Sequence, residues 1–266
     1  MPHIDLGGIT AGSLEVIIAN NAADIEAAQK LRYAVFCEER GAKPTAEMAL
    51  QKRDFDEFDD YCDHLLVVDH QPQGGYRVVG TYRMLRREGA EKLGRFYSES
   101  EFDISAIKRC EDPILEVGRS CVHADFRGRA AMQLLWRGIG AYMNKFNIAL
   151  LFGCASFHGV DPQEHRAALS YLHHYHLAPP ELRSVALPSR YVEMNLMPKE
   201  EIDVKRAFAG LPALIKGYLR LGGYIGQGAV IDAEYNTLDV GIIVKSNLVA
   251  DKYAARYGAD NGFEDL

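Results

Sequence analysis

The chain lacks any C-x-x-C pair, and its five cysteines, Cys37, Cys62, Cys110, Cys121 and Cys154, are odd in number and scattered over 266 residues. That excludes a disulfide framework and a thiolate zinc cage and leaves the thiols as reduced core residues. No run reaches the ~18 apolar residues that a membrane-spanning helix needs; the longest candidate, 148–157, is broken by Gly153 and Ser156. A basic excess is missing too. Thirty Lys and Arg against 37 Asp and Glu give a net charge of -7, which excludes a general binder of phosphate backbone, so no nucleic-acid partner is expected. The opening segment 1–14 has neither the basic nor the apolar stretch of a secretory signal, and the cytoplasm is the expected compartment. With 48% hydrophobic and 25% charged residues, disorder is excluded as well. There is no internal repeat and no low-complexity linker, and at ~150 residues per domain the length suits one large domain or two small ones.

What is present has clear periodicity. Ile25, Ala28, Leu31 and Val35 recur at helical spacing and predict a helix over 24–40, capped by Asn20, Asn21 or Asp24 and ended by Gly41 and Pro44. Ala28, Arg32 and Phe36 fall on one stripe, so Arg32 borders the apolar face. In the acidic stretch 54–60 carboxylates alternate with Phe55 and Phe58. Two β-rich runs, 64–69 and 78–85, flank a turn at 71–75 and predict a hairpin, with Val79, Thr81, Arg83 and Leu85 on one face. A strand is expected over 114–123. The helix after residue 125 should turn Met132, Leu135, Ile139 and Tyr142 inward and Arg129, Gln133 and Arg137 outward. A strand buried on both faces over 148–157 and a helix over 165–175 follow. Beyond Pro198 come a helix at 200–209, a mixed segment, and β-rich runs at 229–232 and 238–245, with Asp232, Asn236 and Asp239 in a polar insert between them. This order implies an α/β or α+β fold around a sheet.

Several charged residues stand where charge is costly. Glu116 and Arg119 lie in an apolar strand, and buried charge must be paired or used. Three apart, they would point to opposite faces, unless a bulge at Gly118 brings them together; the alternative is two ion pairs at a sheet edge. Arg127, Gly128 and Arg129 open a helix whose free N–H groups suit a phosphate, with a solvated basic face as the alternative. The segment 211–226 sets Leu214, Leu219, Leu221 and Tyr224 beside Lys216 and Arg220, a pattern for a membrane surface or for a core helix. His173, His174 and His176 have no carboxylate at a supporting spacing, and no metal site is expected there.

The pattern Val122-x-x-x-x-Arg127-x-x-Ala130 after a strand resembles the acyl-CoA-binding motif of the GNAT acyltransferase superfamily, with Ala130 where that superfamily has glycine. Arg32, Phe36, Asp56, Asp59, Arg83, Glu116 and Arg119 are similar in order to acyl-homoserine-lactone synthases, which are GNAT relatives. A denser set of blocks covers nearly the whole chain: Leu31-Arg-Tyr-Ala-Val-Phe, 62–69, 80–85, 96–98, Glu116-Val-Gly-Arg-Ser-Cys-Val, Leu151-Phe-Gly-Cys-Ala-Ser-Phe, 214–222, 228–232 and 236–240. Together they resemble the L-ornithine N-alpha-acyltransferases of bacterial ornithine-lipid synthesis. The resemblance implies a GNAT-like mixed central sheet flanked by helices, with an acyltransferase core at 1–175 and a C-terminal extension at 176–266 that packs on it and completes the acceptor pocket. It implies transfer of a 3-hydroxyacyl group from acyl carrier protein to the α-amine of ornithine. The phosphopantetheine thioester is then a co-substrate, with no cofactor or metal bound.

Amine attack on a thioester needs a deprotonated amine, donors for the oxyanion and a held acyl carrier. Glu116 is the expected base, a backbone N–H at Gly118 the oxyanion donor, and Arg119 belongs to the same catalytic set. Arg32, Arg83 or Arg119 would clamp the acceptor carboxylate, Phe36 follows the order of the relatives, and Asp56 or Asp59 would take an ammonium. The resemblance adds Asp232, Asn236 and Asp239 at the side-chain amine. A network that only anchors the first helix to the sheet is the alternative for the Arg and Asp residues. Arg127, Gly128, Arg129 and Arg137, with Lys145, form the basic face expected to meet an acidic carrier protein. A peripheral contact at the inner face of the cytoplasmic membrane is expected of 211–226. The rival functions are an acyl-homoserine-lactone synthase, with S-adenosylmethionine as acceptor, and a non-catalytic acyl-carrier or lipid-binding module.

Overall fold

Asn21 accepts a hydrogen bond from the Asp24 N–H at 3.0 Å and so caps the first helix, α1 (Ala22–Tyr33), satisfying a donor that no helical carbonyl can reach. The helix does not continue to residue 40 in one geometry. From Ala34 to Glu39 it widens into a π-helix, the rare form in which each N–H reaches back five residues. The structure, a computed structural model, describes residues 4–246. These fall into two compact units, 4–94 with 117–148, and 95–116 with 149–246. The division expected at residue 175 lies inside a helix of the second unit.

In the first unit, β1 (Leu14–Ile18), β2 (Asp63–His70) and β3 (Tyr76–Arg86) form an antiparallel ladder. The β2–β3 pair is the expected hairpin, closed by hydrogen bonds between Gln71 and Gly74 or Gly75. Val67 pairs with Gly80 and Val68 with Val78, so Val79 is an extra residue in β3. Thr81, Arg83 and Leu85 keep the shared face, Val79 leaves the alternation, and all four are buried. The strand β4 (Ile114–Val122) neighbours β3. The helix α2 (Arg129–Lys145) buries Leu135, Ile139 and Tyr142 as expected, together with Leu134 and Met143. Met132, Gln133 and Arg137 are all half-buried, so the stripe read as exposed is partly covered; the side chain of Arg129 lies outside the described residues.

In the second unit, β5 (Leu150–His158) runs parallel to Ile114, Leu115 and Glu116 of β4. Its other neighbour is antiparallel: β6 (Tyr224–Asp232) and β7 (Thr237–Lys245) form a hairpin, and β7 lies on β5. Parallel and antiparallel pairs thus make a mixed sheet, flanked by α3 (Arg166–His176) and α4 (Ala213–Arg220). The expected mixed α/β class is therefore the one observed. Two expectations change. The polar insert shrinks to the turn 233–236, where Asn236 takes φ 54, and Asp232 and Asp239 are strand residues, buried. In the segment 211–226, Ile215, Tyr218, Leu219 and Leu221 are buried and Leu214 is half-buried, which is the core-helix alternative. Among the described residues, no helix is long and apolar enough to cross a membrane.

The packing of α2 depends on Gly138: a Cβ there would stand 2.7 Å from Val16 Cγ1 and 2.9 Å from Leu65 Cδ1. Gly138→Val should therefore lower stability by about 1–3 kcal/mol through overpacking, read as a drop in the urea midpoint. An unchanged midpoint would mean that α2 has room against β1 and β2.

Candidate active site

Two charged clusters stand out, one in each unit. In the first, Arg32 of α1 is wholly buried. Its Nε donates to Asp54 Oδ1 at 2.6 Å, its Nη1 and Nη2 to the two Asp59 carboxylate oxygens at 3.0 and 2.8 Å, and Nη2 also to the Asp54 carbonyl at 2.5 Å. Arg83 Nη1 on β3 donates to Asp56 Oδ1 at 2.5 Å and to Asp59 Oδ1 at 3.0 Å. Arg119 Nη2 reaches Asp56 Oδ2 at 3.3 Å, and its Nε is 3.6 Å from Asp54 Oδ1. Three guanidinium groups face three carboxylates, so the formal charges cancel. The acidic stretch can follow this course because Asp56 caps the short 3-10 turn Glu57–Asp60, accepting from the Phe58 N–H at 2.9 Å, while Phe58 fills the core.

Burial by itself would push the Asp59 carboxyl up; Arg32 and Arg83 overcome this and hold it well below the usual carboxylate range. His64, whose Nε2 donates to the Asp59 carbonyl at 3.0 Å, is pushed down by burial and stays neutral. Accessibility then sorts the candidates. The side chains of Arg32 and Asp59 are 1% and 5% exposed, whereas Asp56 and Arg119 are 22% and 13% exposed. Arg32, Arg83 and Asp59 thus lie in the buried part of the network, and Asp56 and Arg119 at its more exposed end. Phe36 packs at the margin of the core made by Leu31, Val35, Leu66 and Cys121.

Arg119 also carries the backbone irregularity that the sequence assigned to Gly118. Its φ is 50, a left-handed conformation that costs a non-glycine residue ~1–2 kcal/mol. The ion pairs to Asp54 and Asp56 hold it there, so the break in the pleat lies one residue further along.

Glu116 belongs to the second unit and stands on the last rung of the β4–β5 ladder, opposite Phe152. Its two oxygens accept the Tyr97 and Ser98 N–H groups at 2.8 and 2.7 Å. Those donors open the 3-10 turn Tyr97–Ser100, whose first N–H groups have no partner within the turn. The turn is fixed from above by the Phe96 ring, edge-on to Phe152 at 5.2 Å, and from below by Ser98 Oγ, 3.6 Å from Cys154 Sγ. Because Cys154 pairs with Gly241 and Ser156 with Asp239, the period of two puts Glu116, Phe152, Cys154 and Asp239 on one sheet face.

At the far end of the turn is Glu101. Carboxylate oxygens of Glu101, Asp232 and Asp239 lie within 4.8 Å of one another, and all three residues are buried. Asp232 Oδ1 accepts the Glu234 and Tyr235 N–H groups at 2.9 and 3.0 Å. Burial, then the neighbouring Asp239, pushes the Glu101 carboxyl up to about 8. The Cys154 thiol is raised by burial and by Glu101 and Asp239, and burial pushes Cys121 up to about 12, so neither offers a thiolate nucleophile. Glu101 carries no signal in the sequence. It reaches the cluster because 102–103 pair with 185–186, an association between segments far apart in the chain. Beside Ser98, the apolar side chains of Phe102, Ile104, Phe152 and Ile242 pack closely, with no room for a water between them.

Of the expected basic face, Arg127 is paired within the chain. Arg127 places Nη1 and Nη2 on the two Glu39 oxygens at 2.5 Å each and its Nε on the Val122 carbonyl at 3.1 Å, so its charge is matched. Gly128 is the N-cap of α2 and has open space around it, which leaves the helix N-terminus accessible. Lys145 Nζ donates to the Asp5 carbonyl at 2.9 Å. His174 Nε2 lies 3.1 Å from the Met197 carbonyl and His176 Nε2 2.8 Å from the Tyr171 hydroxyl, ordinary structural bonds. Asn236 is half-buried in its turn, its carbonyl accepting the Gly159 N–H.

Residues 31–137 match a family described as an acetyltransferase (GNAT) domain. The chain is 47% identical over 258 residues to an L-ornithine N(alpha)-acyltransferase of Brucella abortus (strain 2308), covering 94% of this chain and 90% of that one. It is 46% identical over 265 residues to an L-ornithine N(alpha)-acyltransferase of Rhizobium meliloti (strain 1021), covering 98% and 89%. Among solved structures, an N-acyl amino acid synthase from uncultured soil microbes superposes with a TM-score of 0.50 at 11% identity over 91% of this chain and 93% of that one, a likeness of fold.

The arginine network makes a stability prediction. Arg32→Met would leave Asp54 and Asp59 buried without their main counter-charge, at a cost of about 3–5 kcal/mol near neutral pH. A depressed carboxyl such as Asp59 contributes stability above its unfolded pKa and loses it as pH falls through the folded value. In the variant, burial instead raises that carboxyl, so the penalty shrinks on acidification. Urea midpoints of wild type and variant should therefore converge below about pH 5; a gap constant with pH would remove the carboxylates from the account.

Proposed function

Because the chain belongs to the L-ornithine N(alpha)-acyltransferases, GNAT-type acyltransferases, we propose that it moves a 3-hydroxyacyl group from acyl carrier protein to the α-amine of L-ornithine, giving lyso-ornithine lipid. Near-full-length identity to ornithine acyltransferases supports ornithine over S-adenosylmethionine as acceptor. The observation that carries the chemistry is Glu116, a buried carboxylate fixed by two backbone N–H bonds at the end of a strand ladder.

Glu116, directly or through one water, takes the proton that the α-ammonium must lose. The amine nitrogen attacks the thioester carbonyl carbon, a C–N bond forms, and the C–S bond breaks with release of the phosphopantetheine thiol, which leaves with a proton. The oxyanion formed on the way needs a fixed donor, and we assign a backbone N–H at Gly118. Arg119 is the arginine assigned to the acceptor carboxylate, since at 13% exposure it is more accessible than Arg32 and Arg83, at 1% and 5%. The thioester is already activated, which agrees with the raised cysteine thiols.

The carrier protein is assigned to the N-terminus of α2, with Gly128, Arg127, Arg129 and Arg137. There the Glu39 carboxylate occupies Arg127 as an acidic partner would.

The decisive assay combines purified protein, 3-hydroxyacyl carrier protein and L-ornithine, with the product identified by mass; a lyso-ornithine lipid is expected, and no product with S-adenosylmethionine. Glu116→Gln should cut kcat at least ~100-fold while the circular dichroism spectrum stays that of wild type. Wild-type turnover in that variant would sink the base assignment. For the carrier, Glu39→Gln frees Arg127 and should lower KM for acyl carrier protein by up to about fivefold, and Arg127→Glu should raise it. Equal KM values across the three proteins would place the carrier elsewhere.

A further inference from the structure

We infer that Glu101, together with Asp232 and Asp239, clamps the terminal ammonium of the acceptor's side chain and so makes the site select a diamino acid over a monoamino acid. The inference rests on the acylation of ornithine proposed above and adds a residue, Glu101, and a specificity to it.

The three carboxylates come from separate places: Glu101 ends the turn Tyr97–Ser100, Asp232 ends β6, and Asp239 lies within β7. They are 1%, 7% and 6% exposed. Concentrating three acids in a buried space is opposed by desolvation and by mutual repulsion. Among the described residues, Glu101 and Asp232 have no Lys or Arg ion pair. The nearby Arg190 spends its guanidinium on the Ser100 and Ile231 carbonyls at 3.0 and 3.1 Å.

An independent observation points to a ligand. Glu101 Oε2, on a different element from the two aspartates, is buried without a hydrogen-bond partner. An unsatisfied buried acceptor costs ~1–3 kcal/mol, and Asp54, Asp59 and Glu116 all have their partners. Thr237 Oγ1, opposite Asp232 in the hairpin register, is a second such oxygen.

The geometry admits a primary ammonium. A primary ammonium has three donors for three acceptors, and tetrahedral donors at ~2.8 Å set their acceptors about 4.6 Å apart, inside the observed 4.8 Å limit. A divalent metal at its usual bond lengths would draw the oxygens to roughly 3.0–3.4 Å, also inside that limit, and the choice of an ammonium rests on the acceptor proposed above. The cluster also borders the proposed base: Glu116, Cys154 and Asp239 share one sheet face.

A proton stands in for the ligand when the clamp is empty. The groups facing Glu101 are Asp239, Asp232, Cys154 and Arg190, and burial with Asp239 dominates in keeping Glu101 protonated toward neutral pH. Binding the ammonium expels that proton, so KM for ornithine should fall as pH rises through the raised Glu101 value and level off above it.

The test compares ornithine with norvaline, which has the same carbon chain and α-amine but no terminal amine. Wild type should favour ornithine in kcat/KM by at least about 100-fold. Glu101→Gln and Asp239→Asn should each reduce that ratio at least about tenfold, mainly through KM for ornithine, and abolish the fall of KM with pH. Both variants relieve buried repulsion, and their thermal midpoints check the fold. Calorimetric titration with ornithine reads the clamp without turnover: wild type should bind with proton release and the variants more weakly without it. Ornithine acylation with the ratio and the binding unchanged in the variants overturns the clamp and leaves the proposed function standing. Weakened binding in the variants without acylation by wild type overturns that function and leaves the clamp. Activity lost with EDTA and restored by Mg²⁺ or Ca²⁺ in wild type, but not in Glu101→Gln, assigns the cluster to a metal and also overturns the clamp.

Discussion

A charge taken out of water must meet its opposite, and Arg32 imposes that rule on the first unit. Its guanidinium is buried to 1% exposure and uses Nε, Nη1 and Nη2 on Asp54 and Asp59. Those bonds fix where the chain from 54 to 60 passes over α1 and β3, and with it the place of Arg83. Arg119 is then held at φ 50 by what remains of Asp54 and Asp56. The backbone break in β4 is thus a consequence of ion pairing in the network, and not of a flexible residue at the break.

The two charged clusters answer the same physical problem in opposite ways. In the first unit three arginines neutralise three aspartates, and the exposed end is small. In the second, three acids gather and, among the described residues, Glu101 and Asp232 have no arginine or lysine ion pair, while burial and Asp239 push the Glu101 carboxyl up. Buried ion pairs of the first kind add little net stability over apolar packing but are strongly destabilising when half-removed. That makes the first cluster a device for fixing geometry, while in the second Glu101 Oε2 is left without a hydrogen-bond partner.

Much of this was legible in the residues. Arg32 fell on the border of an apolar helical stripe, and Glu116 and Arg119 stood out as charges in an apolar strand, because side-chain period depends on local backbone alone. The π-turn over Ala34–Glu39 was invisible, since one extra residue per turn barely alters an apolar pattern six residues long. Gly118 attracted the bulge on propensity, yet ion pairs from distant segments placed the left-handed residue at Arg119. Arg127 read as part of a free basic face because nothing local announces Glu39, 88 residues earlier. Glu101 was missed for the same reason: a lone acid between Ser100 and Phe102 acquires meaning only when β6 and β7 bring two aspartates to it.

The contrast between Glu116 and Glu101 separates their roles. Both are buried glutamates at either end of one short turn. Glu116 spends both oxygens on backbone N–H groups of that turn, which locks its position and leaves lone pairs for a proton in transit. Glu101 has a bare oxygen and a carboxyl pushed toward neutral pH by burial and Asp239. A protein selected for stability alone would replace Glu101 with a glutamine or an apolar residue at no cost in pairing. An acid there can exchange the proton it carries for a cation during the work of the site. The turn Tyr97–Ser100 then couples the two, because the segment that orients the base also ends on the residue that senses the far amine of the substrate.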